Sequence, residues 1–513
     1  MSQRPHRIRM TRRAALRLFG VAGAGLLAAA CQPQVVEKIV VNTVVVEKER
    51  IVEKQVEKVQ TVVVEKEKIV EKEKEVTRVV EVQKAPQVQI KGTFWVIQKK
   101  DFFPSMNDWF RNEMIKFCKE KGWPLDITYE AGYTGGTPFL EKLAASAASG
   151  NPADLMMHSE GITELRRLMI IDPCTDLVEK VVAQWGETSA RQKFDFTMEG
   201  QWYAVPYFQR SDGGWYQKPV FDEKKIDLAK VRSYPDLWAA CLEVSNPDKQ
   251  IYGWGVTINR SGDGDWFRYR VYHGWGAYIQ DQTGQYVTFN SPQMVEAMTA
   301  MTSLYMDKKW APMMPPGVLA WTDPSNNEAY LAGKLAYTQN GGTVYAKSQI
   351  DKNPIKDVTR FHPPVGGPVN LEFNSLSANN FMLLKGAKNQ EAAREAALHF
   401  LLPLESMDGI LSNAPAFALP AYTKLWDASK FIPTNPVALD QKAVALSPTG
   451  NIVPGTYPGP AQNPAMAAAG TAGIESDMVA DILRGTPVKD AVKTCHDRYV
   501  KIFKEFKLPG EKA

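Results

Sequence analysis

The segment from Asn259 to Trp266 combines carboxylates, amides and an aromatic ring within a few residues. Asp263 and Asp265 alternate with glycines and are followed directly by Trp266. Carboxylates form hydrogen bonds with hydroxyl groups, and a flat indole packs against the apolar face of a sugar ring. The segment therefore suits binding of a small hydroxylated molecule, and packing of Trp266 within the body or on its surface stays open as an alternative. A calcium loop is an alternative, but Asp-Gly-Asp alone lacks the remaining oxygen ligands, so we expect no metal.

Sequence motifs of the common enzyme classes are absent from the chain. It has no phosphate loop ending in Gly-Lys-Ser/Thr, no His-Glu-x-x-His and no Gly-x-Ser-x-Gly. Cys495, His496 and Asp497 are consecutive, and a helix would direct them to different sides. We expect no catalytic residue and no cofactor. A secreted carbohydrate-active hydrolase stays open as an alternative, because it needs only two carboxylates.

Strand and helix patterns alternate from residue 88 onward. The predicted elements are a strand at Val88–Ile97, a helix at Ser105–Lys121, a strand at Leu125–Tyr129, a helix at Thr137–Ser149 and a buried strand at Asp154–Met157. This order is typical of a parallel α/β sheet. Ligands of such sheets bind beyond the carboxyl ends of the strands. Gln98 and Asp101 follow the first strand, and His158 and Glu160 follow the third, so all four are candidate ligand-binding residues.

The first 30 residues have the features of an export signal. They contain arginines but no acidic residue, and an apolar run of small residues leads to Cys31. Leu26–Cys31 resembles a bacterial lipobox, which implies cleavage before Cys31 and lipid on its thiol. Thr11–Arg17 resembles a twin-arginine signal. An ordinary secretory signal that ends near a cysteine is the alternative.

Residues 31–87 form a charged segment of Val, Ile, Glu and Lys. Residues 34–85 contain neither Gly nor Pro, and the motif at Val44–Lys54 returns at Val62–Lys72. The offset of 18 residues corresponds to five helical turns. We predict a helical or coiled-coil stalk that could self-associate. A solvated, partly disordered tether is the alternative, and in either case the segment separates the body from the membrane.

The overall charge and the cysteines exclude two further classes of function. Six of the 61 basic residues lie in the signal, and the remaining 55 nearly balance the 57 acidic ones. We therefore expect no nucleic-acid partner. Four scattered cysteines after Cys31 lack zinc-site spacing, and we expect them to be buried thiols.

Several short motifs occur in an order that resembles a known family. They are Gly150–Leu155, Gly200–Pro206, Trp215–Phe221, Tyr234–Trp238, Phe289–Pro292, Ala332–Tyr337, Asn340–Gly342 and Lys385–Ala393. Together they resemble the family 1 extracellular solute-binding proteins of bacterial ABC importers. The resemblance implies two discontinuous α/β lobes, the type II periplasmic-binding-protein fold. It places lobe 1 at residues 88–207 and 338–378, and lobe 2 at 208–337 and 379–508.

The resemblance also places the chain crossings between the lobes near residues 204–210, 336–341 and 374–380. Further candidate ligand-binding residues lie at or before these crossings: Arg210, Asp212, Trp321, Asn340, Gly341 and Asn379. The implied function is that of a lipid-anchored binding component, which captures a small solute, most often a sugar, and delivers it to a membrane permease. Besides the hydrolase, a structural cell-envelope lipoprotein stays open as an alternative.

Overall fold

The computed structural model describes residues 88–131, 137–159, 161–211, 213–370, 376–447 and 455–512. These residues lie in one compact unit, Pro86–Ala513. The signal at 1–30, the stalk at 31–87 and Cys31 lie outside the described residues. Glu160 and Asp212 lie outside them as well.

The strands of the described residues, in chain order, are β1 (Phe94–Lys100), β2 (Leu125–Ala131), β3 (Leu155–His158), β4 (Ile171–Asp172), β5 (Thr197–Met198), β6 (Gln201–Trp202), β7 (Val205–Ser211), β8 (Gly213–Gln217), β9 (Tyr337–Asn340), β10 (Thr359–His362) and β11 (Leu376–Leu384). The large sheet has the order β2-β1-β3-β11-β4, with β7 paired to β11. The small sheet has the order β10-β8-β9. In the large sheet β1, β2 and β3 are parallel, whereas β11 is antiparallel to its neighbours.

The α-helices of the described residues, in chain order, are α1 (Pro104–Lys121), α2 (Thr137–Ala148), α3 (Ile162–Arg167), α4 (Thr175–Trp185), α5 (Ala190–Phe196), α6 (Lys218–Glu223), α7 (Tyr234–Val244), α8 (Gly262–Gly274), α9 (Pro292–Met306), α10 (Ser325–Leu331), α11 (Thr343–Ile350), α12 (Gln390–Leu401), α13 (Leu404–Ser412), α14 (Leu425–Ala428), α15 (Pro436–Ala445), α16 (Pro464–Ala472), α17 (Ile474–Leu483) and α18 (Val488–Glu505). None of these helices is long and apolar enough to cross a membrane.

The predicted alternation of strands and helices over residues 88–158 is confirmed, with one difference at its start. The first strand begins at Phe94 and not at Val88, because Gly92 turns the chain with a φ of 73°. The backbone N–H of Lys91 donates to Oδ1 of Asn389 (2.7 Å), so this segment binds a loop outside the sheet. Helix α1 begins with Pro104, which suits a first helical turn, and ends at Gly122 in the left-handed conformation.

The core of the large sheet extends to the small sheet, because residues of β8 and β10 belong to the same hydrophobic cluster. Phe94, Leu155 and Phe400 belong to the core of the large sheet. Trp254 and Phe503 belong to the core of the small sheet. Burial of each such side chain contributes roughly 1.5–3 kcal/mol. The polar residues between the two sheets are therefore held beside packed side chains on both sides.

The strand pairing differs from the expected lobe boundaries in two places. Strand β10 and most of β9, in the segment assigned to lobe 1, pair with β8 of the small sheet. Most of β11 and the helices α12 to α15, in the segment assigned to lobe 2, join the large sheet or its core. The reason is physical: a strand's partners lie more than a hundred residues away, and its own sequence does not specify them.

The four cysteines after Cys31 are free and buried, as predicted: Cys118, Cys174, Cys241 and Cys495. Burial raises the pKa of the Cys118 thiol to about 12. These thiols therefore contribute to packing and stay protonated near neutral pH.

Candidate functional site

A cavity of about 610 Å³ lies between the large sheet and the small sheet. We call it the cleft. Side chains from the end of β1, the end of β7 and the start of β11 line one wall, and the first residues of α8 and α11 line the other. The volume falls within the range of small-molecule sites, roughly 300–1,000 Å³.

The wall on the large-sheet side carries positive charge beside aromatic rings. Arg210 is 8 % exposed, and its guanidinium lies 5.4 Å from the ring centre of Phe417. Lys99 donates from Nζ to Oγ of Ser159 (3.0 Å) and lies 3.7 Å from a carboxylate oxygen of Asp101. This wall can therefore donate hydrogen bonds to a bound molecule.

The wall on the small-sheet side is organised around Asn340. Its Nδ2 donates to Oδ2 of Asp263 (3.2 Å) and to Oδ1 of Asn327 (2.7 Å). Its Oδ1 accepts from the backbone N–H (2.9 Å) and from Oγ1 (2.5 Å) of Thr343. An amide has two donor hydrogens and two acceptor lone pairs, so all four positions of Asn340 are used. Asn340 therefore positions Asp263 and Thr343, which also line the cleft.

Helix α8 brings Asp263 and Trp266 to the cleft. Oγ of Ser261 caps the helix by accepting from the backbone N–H of Gly264 (3.0 Å). Gly264 is required there, because a Cβ atom would lie 2.2 Å from the carbonyl oxygen of Asn259. The predicted binding segment Asn259–Trp266 is partly helical, because the helix begins at Gly262.

The helix start separates the two carboxylates of this segment. Successive helical residues are rotated by about 100°, so Asp263 and Asp265 face different sides. Asp265 accepts from Nη2 of Arg268 (2.5 Å) and from Oγ of Ser476 (3.2 Å) and lines another cavity, of about 200 Å³. Asp265 therefore does not share the cleft with Asp263.

Of the residues predicted to bind ligand, Arg210, Asp263, Trp266, Asn340 and Gly341 line the cleft. On the first strand the prediction named Gln98, but its neighbour Lys99 lines the cleft and Gln98 does not. Neighbouring strand residues point to opposite faces. Accordingly, Nε2 of Gln98 donates to the carbonyl oxygen of Asn107 (3.0 Å).

The remaining predicted residues that the structure describes do not line the cleft. Nδ2 of Asn379 donates to Oδ2 of Asp101 (3.2 Å), and both residues are buried. His158 stacks on Phe139 with ring centres 4.7 Å apart, and its burial, together with the charge of Lys99, lowers its pKa to about 3. Trp321 packs partly against the core of the large sheet. Glu160 and Asp212 lie outside the described residues.

Sequence reasoning missed several residues of the cleft. Asp323, Asn327, Thr343 and Phe417 line it and were not selected. Lys99, Phe102, Ser159 and Ser377 also line it, and they lie in or beside the predicted binding segments. Asp323 accepts from the backbone N–H of Asp263 (3.2 Å). A rule that takes every polar residue in the first turn of a helix at the sheet edge would have found Thr343 and Asn327.

Comparisons with known proteins agree with this arrangement. The profile of the family described as bacterial extracellular solute-binding protein matches residues 100–402. The maltose-bound MalE3 of T. maritima has 17% identity and a TM-score of 0.65, and the match covers 80% of this chain and 99% of that one. A sugar transporter protein of Arthrobacter chlorophenolicus with bound laminaribiose has 16% identity and a TM-score of 0.65, with 80% and 99% covered.

A third similar structure is an ABC transporter solute-binding protein of Agrobacterium vitis with bound D-mannitol. It has 19% identity and a TM-score of 0.62, with 82% of this chain and 100% of that one covered. No protein with curated annotation matches this chain in sequence. At these identities the structural similarity establishes the fold, and the predicted α/β periplasmic-binding-protein fold is confirmed.

Proposed function

Because the chain belongs to the bacterial extracellular solute-binding proteins, we propose that it captures a sugar or sugar alcohol in the cleft and delivers it unaltered to an ABC importer. The structurally similar proteins were solved with maltose, laminaribiose and D-mannitol. All three ligands are rich in hydroxyl groups. The same chemistry suits the residues that line the cleft here.

The observation that carries this proposal is the composition of the cleft. Trp266 offers an indole face, and Asp263 beside it offers a carboxylate held by the amides of Asn326 (2.7 Å) and Asn340 (3.2 Å). Aromatic faces pack on the C–H groups of a sugar ring, and carboxylates accept from its hydroxyl groups. A sugar therefore satisfies both kinds of surface at once.

Closure around the solute follows from the position of the cleft between two cores. A ligand that contacts Arg210 on one wall and Asp263 on the other bridges the large-sheet and small-sheet sides. Contacts that form only when both walls meet stabilise the closed form over the open form. The closed form is the one that docks on the permease, and ATP hydrolysis by the importer drives transport.

The protein is exported, as its family indicates, and we further propose that lipid on Cys31 anchors it at the outer face of the cytoplasmic membrane. In this arrangement residues 31–87 hold the binding body at a distance from the membrane. Replacing Cys31 by Ala is expected to abolish labelling with radioactive fatty acid and to release the protein from the membrane fraction. Retention of the label would contradict the proposal.

Calorimetry with a panel of sugars and sugar alcohols, followed by chromatography of the recovered ligand, tests the binding function. We expect saturable binding at micromolar concentration and complete recovery of intact ligand. Asp263→Ala should weaken binding by about 1–3 kcal/mol, the usual effect of losing hydrogen bonds to a charged group. Asp248→Ala, at an exposed site on a surface loop, is the matched control. Recovery of cleavage products would indicate a hydrolase, and no response to any solute would contradict binding.

A further inference from the structure

Arg210 is a buried cation for which the described residues provide no acidic partner. Arg210 is 8 % exposed, and its Nε has no hydrogen-bond partner among the residues that the structure describes. Arg268, which is similarly buried, shows the usual arrangement, with ion pairs to Glu475 (2.8 Å) and Asp265 (2.5 Å). A buried charge without compensation is costly. An arginine in this state can accept a partner from a molecule bound in the cleft.

A second buried donor lies directly beside Arg210. Ser377 on β11 pairs in register with Arg210 on β7 in the antiparallel ladder. Side chains in such a pair stand on the same face with Cβ atoms roughly 5 Å apart. Oγ of Ser377 is also buried and has no hydrogen-bond partner among the described residues. Both residues line the cleft, so two unsatisfied donors lie side by side in its wall.

The surroundings of this pair favour an anion. Phe417 lies against the guanidinium on one side and shields it from water. Lys99 adds a second cation to the same wall, where it is paired with the buried Asp101 (3.7 Å). The acidic side chains that line the cleft within the described residues, Asp263 and Asp323, belong to the opposite wall. The two walls therefore differ in the groups they can bind.

We propose that the solute bound in the cleft carries an anionic group, a carboxylate or a phosphate, which accepts hydrogen bonds from Nε of Arg210 and Oγ of Ser377. The hydroxylated part of the solute then faces Asp263 and Trp266. The expected substrate class is an acidic sugar or a sugar phosphate and not a neutral sugar. This inference rests on the proposed function and specifies its ligand.

The test is calorimetry of the purified full chain with sugars and sugar alcohols, each in neutral, carboxylated and phosphorylated form. Examples are D-glucose, D-glucuronate and D-glucose 6-phosphate. We expect the tightest solute to be acidic, and the carboxylated and phosphorylated arms distinguish the two kinds of anion. Arg210→Gln should weaken this binding about 10- to 100-fold, because a charge-assisted hydrogen bond is lost. Arg210→Lys keeps the charge and should lose less.

The controls separate this inference from the proposed function. Arg484→Gln removes an exposed arginine paired with Asp481 and should leave the affinity unchanged. Arg210→Gln should weaken binding of the acidic form more than it weakens binding of the neutral form. If a neutral solute binds most tightly, or if Arg210→Gln binds the acidic solute as well as the wild type does, the inference is overturned while solute binding stands. If nothing binds, both proposals fail.

Discussion

Replacement of Asn340 by Ala tests whether one amide organises the small-sheet wall of the cleft. Asn340 is 4 % exposed, and its side chain makes four hydrogen bonds, to Asp263, Asn327 and Thr343. Alanine removes these hydrogen bonds and leaves the three partner residues unsatisfied at a mostly buried position. An unsatisfied buried group costs about 1–3 kcal/mol, and water reaches the half-exposed Asp263. We therefore expect the free energy of unfolding to fall by about 2–5 kcal/mol.

Urea denaturation followed by circular dichroism measures this change. Asn340→Asp serves as a second variant, because it keeps both accepted hydrogen bonds and removes both donated ones. It also places a carboxylate next to Asp263, so its stability should fall as well. Asn151→Ala is the control, since Asn151 is exposed and bonds only Lys388 among distant side chains. It should change the stability by less than about 0.5 kcal/mol.

The same variant links stability to binding. Loss of Asn340 frees Asp263 from one of its two amide donors, so the affinity for the solute should fall together with the stability. A free energy of unfolding of Asn340→Ala within about 0.5 kcal/mol of the wild-type value would refute the reasoning. In that case the network would be replaced by water at no cost, and Asn340 would have no organising role.

Three further predictions address the cleft and the buried charges. Trp266→Ala should weaken solute binding by about 1–3 kcal/mol in calorimetry, through lost aromatic and apolar contact, while Trp310→Ala, outside the cleft, should not. Burial lowers the pKa of His273 to about 3 and of His362 to about 4. As the pH falls below about 6.5, these histidines take up protons in the unfolded state before they do so in the folded state. The free energy of unfolding should therefore fall by about 1–2 kcal/mol for each His between pH 7 and pH 5. Replacing His273 by Phe should reduce this slope in urea titrations, and an unchanged slope would argue against the assignment. Without ligand, Arg210→Gln should melt at or above the wild-type temperature, because it removes an uncompensated charge; a clear loss of stability would show that the arginine has a structural partner.

The elements around the first part of the large sheet could be predicted because their signals are local. The helix expected at Ser105–Lys121 is observed at Pro104–Lys121, and the strand expected at Leu125–Tyr129 is observed at Leu125–Ala131. Periodicity of apolar residues, a proline at the helix start and a glycine at its end suffice for such assignments. The lobe boundaries depend on which distant strands pair, and no local signal reports that.

The site shows the same division. The segments that reach the cleft could be found, because strand ends and helix starts are local features, and Asp263, Trp266 and Asn340 lie in them. The choice among neighbours could not be made. Lys99 and Gln98 are neighbours that lie on opposite faces of β1. Asp263 and Asp265 are two residues apart and point in different directions around α8.

The sequence alone was enough to indicate the family, the fold class and the polar, aromatic character of the binding segments, because motifs and composition are properties of the chain. Only the tertiary structure decided which donors meet across the cleft and which are already used. Arg210 and Ser377 are separated by 167 residues, yet they stand opposite each other on β7 and β11. Their hydrogen-bonding capacity depends on neighbours that only the pairing of these two strands brings together.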